Sequence, residues 1–237
     1  MAFDVDRLRI TWFGHSTFLL RTPGGARLLF DPWFVENPAC PASMKKPPAA
    51  DAILVSHGHG DHMGDLVSAA RDSGAPVVAA PELCDWVRRK GIANVLPMNK
   101  GGSQQVAGVR VTMTDARHSS GFVDTGTMVY MGEPAGYVVR LEDGMALYFA
   151  GDTALFGDMR LIGEMHKPDI AFLPIGDRFT MDPAAAAAAC DLLGVRQVVP
   201  MHWGTFPLLT GTPAALRALV EPRGVQVLEL KPGESTE

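Results

Sequence analysis

The sequence predicts a layered α/β domain, with sheets inside and helices outside. Hairpin-like segments alternate with helix-like ones along the chain. The first hairpin and the apolar strand after it return in a second copy, and each apolar run stops at a loop rich in Gly, His or Asp. Strands covered on both faces read as short apolar runs, and the helices between them supply the cover.

The segment from Ser16 to Asp31 reads as two strands joined at Gly24-Gly25. A strand over Asp51–Ser56 follows it. Helix ends then mark the chain: Asp65 to Ser73 stops at Gly74, and Pro81 to Lys90 stops at Gly91, where a left-handed cap belongs. Val109–Thr114 is strand-like. Gly136 to Asp152 repeats the hairpin plan with Asp143-Gly144 as its turn, and Asp169–Pro174 repeats the apolar strand. Asp182-Pro183 opens an alanine-rich helix running to Gly194, with Asp as N-cap and Pro at the first helical position. Thr212-Pro213 opens another with the same chemistry. The echo suggests a single domain, 1–237, of two pseudo-symmetric halves.

The chain has 237 residues, 47% hydrophobic and 20% charged, so it can bury a core without a disulfide staple. Cys40, Cys84 and Cys190 are odd in number and form no C-x-x-C pair, as expected of free thiols in a reducing compartment. The start, Met1-Ala-Phe-Asp-Val-Asp6, lacks the basic and apolar regions of a signal peptide. No apolar stretch approaches the roughly eighteen residues that span a bilayer. A cytoplasmic protein with no membrane partner is therefore expected. The net charge of −5 argues against a large nucleic acid as partner, although bound metal would add positive charge that this count omits.

After the Asp51–Ser56 strand comes His57-Gly58-His59-Gly60-Asp61-His62. In extended chain, residues two apart project to one side, so His57 and His59 can reach one metal ion. Gly58 and Gly60 allow unusual backbone angles around it. Asp61 and His62, at the turn into a helix, can serve a second ion. Chance should produce this pattern in about one such sequence in two thousand. Four ionisable side chains in six residues are also poor core material without a metal. His118, Asp152 and His202 each end an apolar strand candidate, the edge where α/β sheets gather their sites. Taken singly, His118 or His202 reads equally well as a hydrogen-bonded structural histidine. The first cluster makes the ligand reading of both much stronger.

The order H-x-H-x-D-H, then His, Asp and His, resembles the signature of the metallo-beta-lactamase superfamily over nearly the whole chain. Trp12-Phe-Gly-His-Ser16, Gly151-Asp-Thr-Ala-Leu-Phe156, Pro174-Ile-Gly-Asp-Arg-Phe-Thr-Met181 and Pro200-Met-His-Trp-Gly-Thr-Phe-Pro207 resemble one branch. It is a group of metal-dependent hydrolases related to bacterial L-ascorbate-6-phosphate lactonase. The resemblance implies a four-layer αββα sandwich of two pseudo-symmetric halves. It also implies that His57, His59 and His118 hold one ion, that Asp61, His62 and His202 hold the other, and that Asp152 bridges them. Two divalent ions are expected, zinc first, with manganese, iron or nickel as alternatives. The expected reaction is hydrolysis by a hydroxide shared between the ions, with Asp61 orienting it and passing a proton. The bridging Asp152 resembles lactonases and phosphodiesterases more than true beta-lactamases. His at position 59, where electron-transfer relatives carry Glu, disfavours a redox role.

His15, in Gly14-His-Ser16, is a candidate substrate contact, or a hydrogen-bonded structural residue. Arg178 could hold an anionic substrate group bidentately, or form a structural unit with Asp177. His166 reads as a surface residue at a strand entry. Ser119–Glu133 and Thr205–Thr212 are candidate lids. The expected partner is a small, ester-type, lactone-like molecule, with an anionic group as one option, and a homo-oligomer is compatible with the sequence. The rival readings are a phosphodiesterase acting on a small phosphodiester and a non-catalytic metal-binding regulatory protein.

Overall fold

The computed structural model describes residues 8–236, and two sheets packed face to face form its centre. The first sheet carries β1 (Arg9–Trp12), β2 (Phe18–Arg21), β3 (Arg27–Phe30), β4 (Ala52–Leu54), β5 (Val77–Ala79) and β6 (Val95–Pro97), side by side in chain order. The second carries β7 (Ser103–Val106) and β8 (Val109–Asp115) at one edge. The chain then leaves it for a separate antiparallel hairpin, β9 (Gly121–Asp124) and β10 (Thr127–Tyr130). It returns beside β8 as β11 (Ala135–Arg140), then β12 (Ala146–Phe149), β13 (Ile170–Pro174), β14 (Gln197–Met201) and β15 (Gln226–Val227).

The echo in the sequence is an echo in space. β2 and β3 pair antiparallel and β3 and β4 parallel, while β11 and β12 pair antiparallel and β12 and β13 parallel. Between the sheets, Phe30 meets Phe149 at 4.7 Å and Phe18 meets Phe172 at 5.1 Å between ring centroids. Within β3, Leu28 and Phe30 face this inner core, and Leu29 faces the opposite side. Each buried side chain of this size contributes about 1.5–3 kcal/mol of transfer free energy.

Helices cover the outer faces. The short α1 (Gly60–Met63) leads into α2 (Leu66–Ser73) and α3 (Pro81–Arg89), whose Leu66, Leu83 and Val87 pack with Leu29, Ile53 and Val77 of the first sheet. On the other side lie α4 (Met159–His166), α5 (Pro183–Leu193) and α6 (Pro213–Val220). Their caps follow local chemistry. Asp182 accepts from the Ala185 N–H and Thr212 from the Ala215 N–H, while Gly74 and Gly194 end their helices in the left-handed region.

α4 is the helix without a signal in the sequence. No side chain caps its start, and Lys167, not glycine, takes the left-handed position at its end with φ 48°. His166 therefore ends a helix instead of entering a strand, which corrects the expectation. Among the described residues no helix is long and apolar enough to cross a membrane. Residues 1–7, where no signal peptide is expected, and residue 237 lie outside the described residues.

Candidate metal centre

The strands bring their C-terminal ends to one rim, and the loops leaving β1, β3, β4, β8, β12 and β14 carry His15, Asp31, the His57–His62 segment, His118, Asp152 and His202. Six of the seven histidines of the chain gather there. His15, Asp31 and His202 have φ of 58°, 42° and 55°, a region that costs non-glycine residues about 1–3 kcal/mol and persists where the surroundings enforce it. The His202 N–H donates to the carbonyl of His15 at 3.0 Å, which ties two of these loops together.

His57, His59 and His118 form one group, each with a ligand-type atom within 4.8 Å of the others. His57 Nε2 lies 2.9 Å from His59 Nδ1, and Ser119 Oγ lies 3.3 Å from His59 Nε2. A second group of the same tightness contains Asp61, His62 and His202, with His15 as its fourth member. His15 is held at both nitrogens, by Thr205 Oγ1 at 3.0 Å and Asp61 Oδ2 at 3.1 Å. Asp152 stands between the groups. Its Oδ2 lies 3.0 Å from His202 Nε2, 3.3 Å from His62 Nε2 and 3.6 Å from His118 Nε2. Five buried side-chain atoms lack a hydrogen-bond partner among the described residues, and three of them belong to this cluster: Asp152 Oδ1, His62 Nε2 and His202 Nδ1.

Behind these residues lies Asp31, which sequence reasoning noted only as the end of the first hairpin. It is fully buried and accepts from the Ser56 N–H at 2.7 Å, the Ser56 hydroxyl at 2.6 Å and His62 Nδ1–H at 2.8 Å. Because the Ser56 hydroxyl donates to Asp31, its oxygen is left to accept from His57 Nδ1–H, 2.9 Å away. One carboxylate thus sets the tautomer of two imidazoles. The Nε2 of His57 and that of His62 are thereby turned toward the cluster, where a metal ion would meet them. The internal echo was the available signal, since Asp31 and Asp152 close equivalent hairpins. Ser56 and Thr205 gave none.

Electrostatics sort the group by burial and neighbours. Burial pushes His57 well below the ordinary imidazole value and lowers His59 and His118 as well. These are then neutral lone-pair donors, the form that binds metal. Burial, helped by His202, pushes His15 down to about 4. His62 goes the other way: burial opposes its charge, but the carboxylates of Asp152 and Asp31 hold it well above the usual range. Burial would raise Asp152 and Asp61, yet the imidazoles around them keep both carboxyls below the ordinary carboxylate range. Burial pushes Asp31 up against its bonds to His62 and Ser56.

Arg178 follows β13, whose C-terminal end lies at the same rim. It is exposed, its guanidinium sits 5.6 Å over the ring of Phe179, and no hydrogen bond or ion pair among the described residues joins it to the cluster. The Ser119–Glu133 segment is an anchored hairpin instead of an irregular loop. Its Asp124 accepts from Trp86 Nε1 at 2.8 Å and pairs with Lys90 of the helix opposite, and Ser120 Oγ accepts from the Gly58 N–H.

Two sheets with a His and Asp cluster at their common rim define a class of metal-binding α/β sandwich. Residues 26–203 match the profile of the beta-lactamase superfamily domain. A UPF0173 metal-dependent hydrolase of Koribacter versatilis is 48% identical, covering 98% of this chain and 99% of its own. Another from Rubrobacter xylanophilus is 51% identical, covering 95% of each. Among solved structures, Igni18, a metallo hydrolase from Ignicoccus hospitalis, is 34% identical with a TM-score of 0.85 over 97% of both chains. The isothiocyanate hydrolase of Delia radicum gut bacteria shares the fold at 22% identity and a TM-score of 0.74, over 97% of this chain and 98% of that one. The chain belongs to the metallo-beta-lactamase superfamily, among its metal-dependent hydrolases.

Proposed function

We propose that the cluster holds two divalent metal ions and that the chain hydrolyses a small ester-type, lactone-like substrate. The observation that carries this reading is the pair of buried, unpartnered atoms Asp152 Oδ1 and His62 Nε2 within a cluster of six imidazoles and the carboxylates of Asp61 and Asp152. Each such atom costs about 1–3 kcal/mol if left unsatisfied, and a cation among them supplies the missing partner. His57, His59 and His118 would hold one ion, and Asp61, His62 and His202 the other. Asp152, within 3.6 Å of imidazoles from both groups, would stand between them. Imidazole and carboxylate donors suit zinc first, and manganese, iron or nickel next.

Bound divalent ions polarise a substrate oxygen and lower the pKa of coordinated water toward ~7. The protein's part is orientation and proton handling. Asp61 is held at Oδ2 by His15, which leaves Oδ1 for the ion it would help hold and for the proton that the attacking water gives up, which it would then hand to the leaving group. His62 and His57 keep their rings fixed through Asp31 and Ser56, so the site is preorganised before substrate arrives. The three free, buried thiols accord with a reducing, cytoplasmic setting.

The test is turnover by the metal-loaded protein across lactones, simple esters and phosphodiesters, with a chelated control. The expected result is ester or lactone hydrolysis that disappears on chelation and returns with a divalent ion. Turnover confined to phosphodiesters would replace the ester reading with a phosphodiesterase. Metal binding without any turnover would support the regulatory alternative.

A further inference from the structure

Beside Asp61 opens a cavity of about 480 Å³, within the range that holds a small molecule. Its base is helix α1, where Gly60 and Gly64 present backbone in place of side chains. A Cβ on Gly64 would lie 2.8 Å from Trp33 Cδ1, and one on Gly60 would lie 3.6 Å from Phe122 Cε2. The two aromatic rings therefore flank a stretch of helix stripped of bulk. Trp33 is backed by His15 at 5.2 Å and Phe206 at 5.9 Å between ring centroids, and Phe122 by Trp86 at 5.7 Å. Val35 adds exposed apolar surface to the rim.

The charges on this cavity have one sign. Glu36, Asp61 and Asp65 line it, and no lysine or arginine does. Asp65 accepts from the N–H groups of Phe34 and Val35. Lys45 touches the Val35 segment, but its ammonium is committed to the carbonyls of Val35 and Asn37. Arg178, the residue expected to meet an anion, does not line it. An anionic group seated between Trp33 and Phe122, and not on the ion that Asp61 would help hold, would face the carboxylates of Glu36 and Asp65 and apolar surface with no lysine or arginine beside it, a juxtaposition that disfavours binding.

We infer that this cavity receives an uncharged apolar or aromatic group, so that the substrate is a neutral ester or lactone bearing such a group. This rests on the hydrolase reading above and narrows it, and it departs from the anionic substrate expected from the sequence.

Two esters that share one ring system test it on the full-length, metal-loaded protein: naphthyl acetate, and the same ester sulfonated on its distal ring. The neutral ester should show kcat/KM at least about tenfold higher. Phe122→Ala should lower that value about tenfold, mainly through KM, while barely changing the sulfonated ester. Glu36→Lys, at an exposed position that leaves folding undisturbed, should raise the sulfonated ester toward the neutral one. Equal or better turnover of the sulfonated ester, or variants that leave the ratio unmoved, would overturn the inference. If neither ester is hydrolysed, the ester reading fails separately, and equilibrium binding of naphthol against its sulfonate, followed by tryptophan fluorescence, decides the cavity. Preferential binding of naphthol that is lost in Phe122→Ala upholds it. No binding, or no preference, overturns it.

Discussion

Asp31 is the residue on which most of the cluster's geometry depends, although it offers no atom to spare for a ligand. Its two oxygens take three hydrogen bonds, and through them His62 and, by way of Ser56, His57 are fixed. Replacing a group that orients a metal-binding histidine weakens metal affinity by about 10–100-fold. Asp31→Asn is expected to do so, read by competition with a chromophoric chelator, and unchanged affinity would contradict the arrangement. Asp61→Asn separates a different role. It keeps an oxygen for His15 and for the ion but removes the proton carrier, so turnover should vanish while two ions per chain still bind and thermal unfolding of the protein stays cooperative. The ligand-type residues were legible because their spacing is rare. Asp31 was half legible, through the echo with Asp152. Ser56 and Thr205 were not, since a hydroxyl that relays one hydrogen bond leaves no pattern in a sequence.

At the scale of elements, the chain positions its ligands by close backbone approach as much as by strands. Gly58 sits between His57 and His59, and a Cβ there would come within 2.2 Å of Met131 Cβ, at the foot of the β9–β10 hairpin. Gly58→Ala must therefore shift either the ligand loop or the hairpin. A loss of about 1–3 kcal/mol in denaturant-measured stability is expected, as for overpacked sites, together with weaker metal binding. Stability within error of the parent would show that the contact yields freely. Helix ends were readable where glycine, proline, aspartate or threonine performs the cap, as at Gly74, Asp182 and Thr212. α4 was not, because a lysine in a left-handed conformation terminates it and tertiary packing holds it: Gly163 is so near α5 that a Cβ would lie 2.5 Å from the Leu193 carbonyl oxygen. The β9–β10 hairpin escaped notice because its strands are short and half exposed, without a buried face to impose alternation.

The whole molecule repeats one plan twice and places its chemistry where the two copies meet. The repeat was visible because hairpin turns and apolar strands leave strong local signals, and the facing of the two sheets then follows from the need to bury both. The same arrangement makes the metal-free protein sensitive to acid. Burial lowers His15, His57, His59 and His118, so between the ordinary imidazole value of about 6.5 and the lowered values the unfolded chain binds protons that the folded one refuses. Stability is then retained above about pH 6.5 and lost as pH falls toward 4, the value to which His15 is pushed. His62, raised by Asp152 and Asp31, acts in the opposite sense, but it is one group against four. Chemical denaturation of the chelated protein at pH 7.5 and pH 5 should show the lower stability at pH 5. Equal stability would mean that the cluster loosens and hydrates when metal is absent.

In the proposed function, metal bound by this cluster is what makes the chain a hydrolase. The most direct measurement is to titrate chelated protein with a divalent ion, following ions bound per chain and ester turnover in the same samples. Two ions per chain are expected, with turnover rising as the second site fills, and with both signals reduced in His202→Ala. Turnover in fully chelated protein, or saturation with two ions and no dependence of turnover on either, would contradict it.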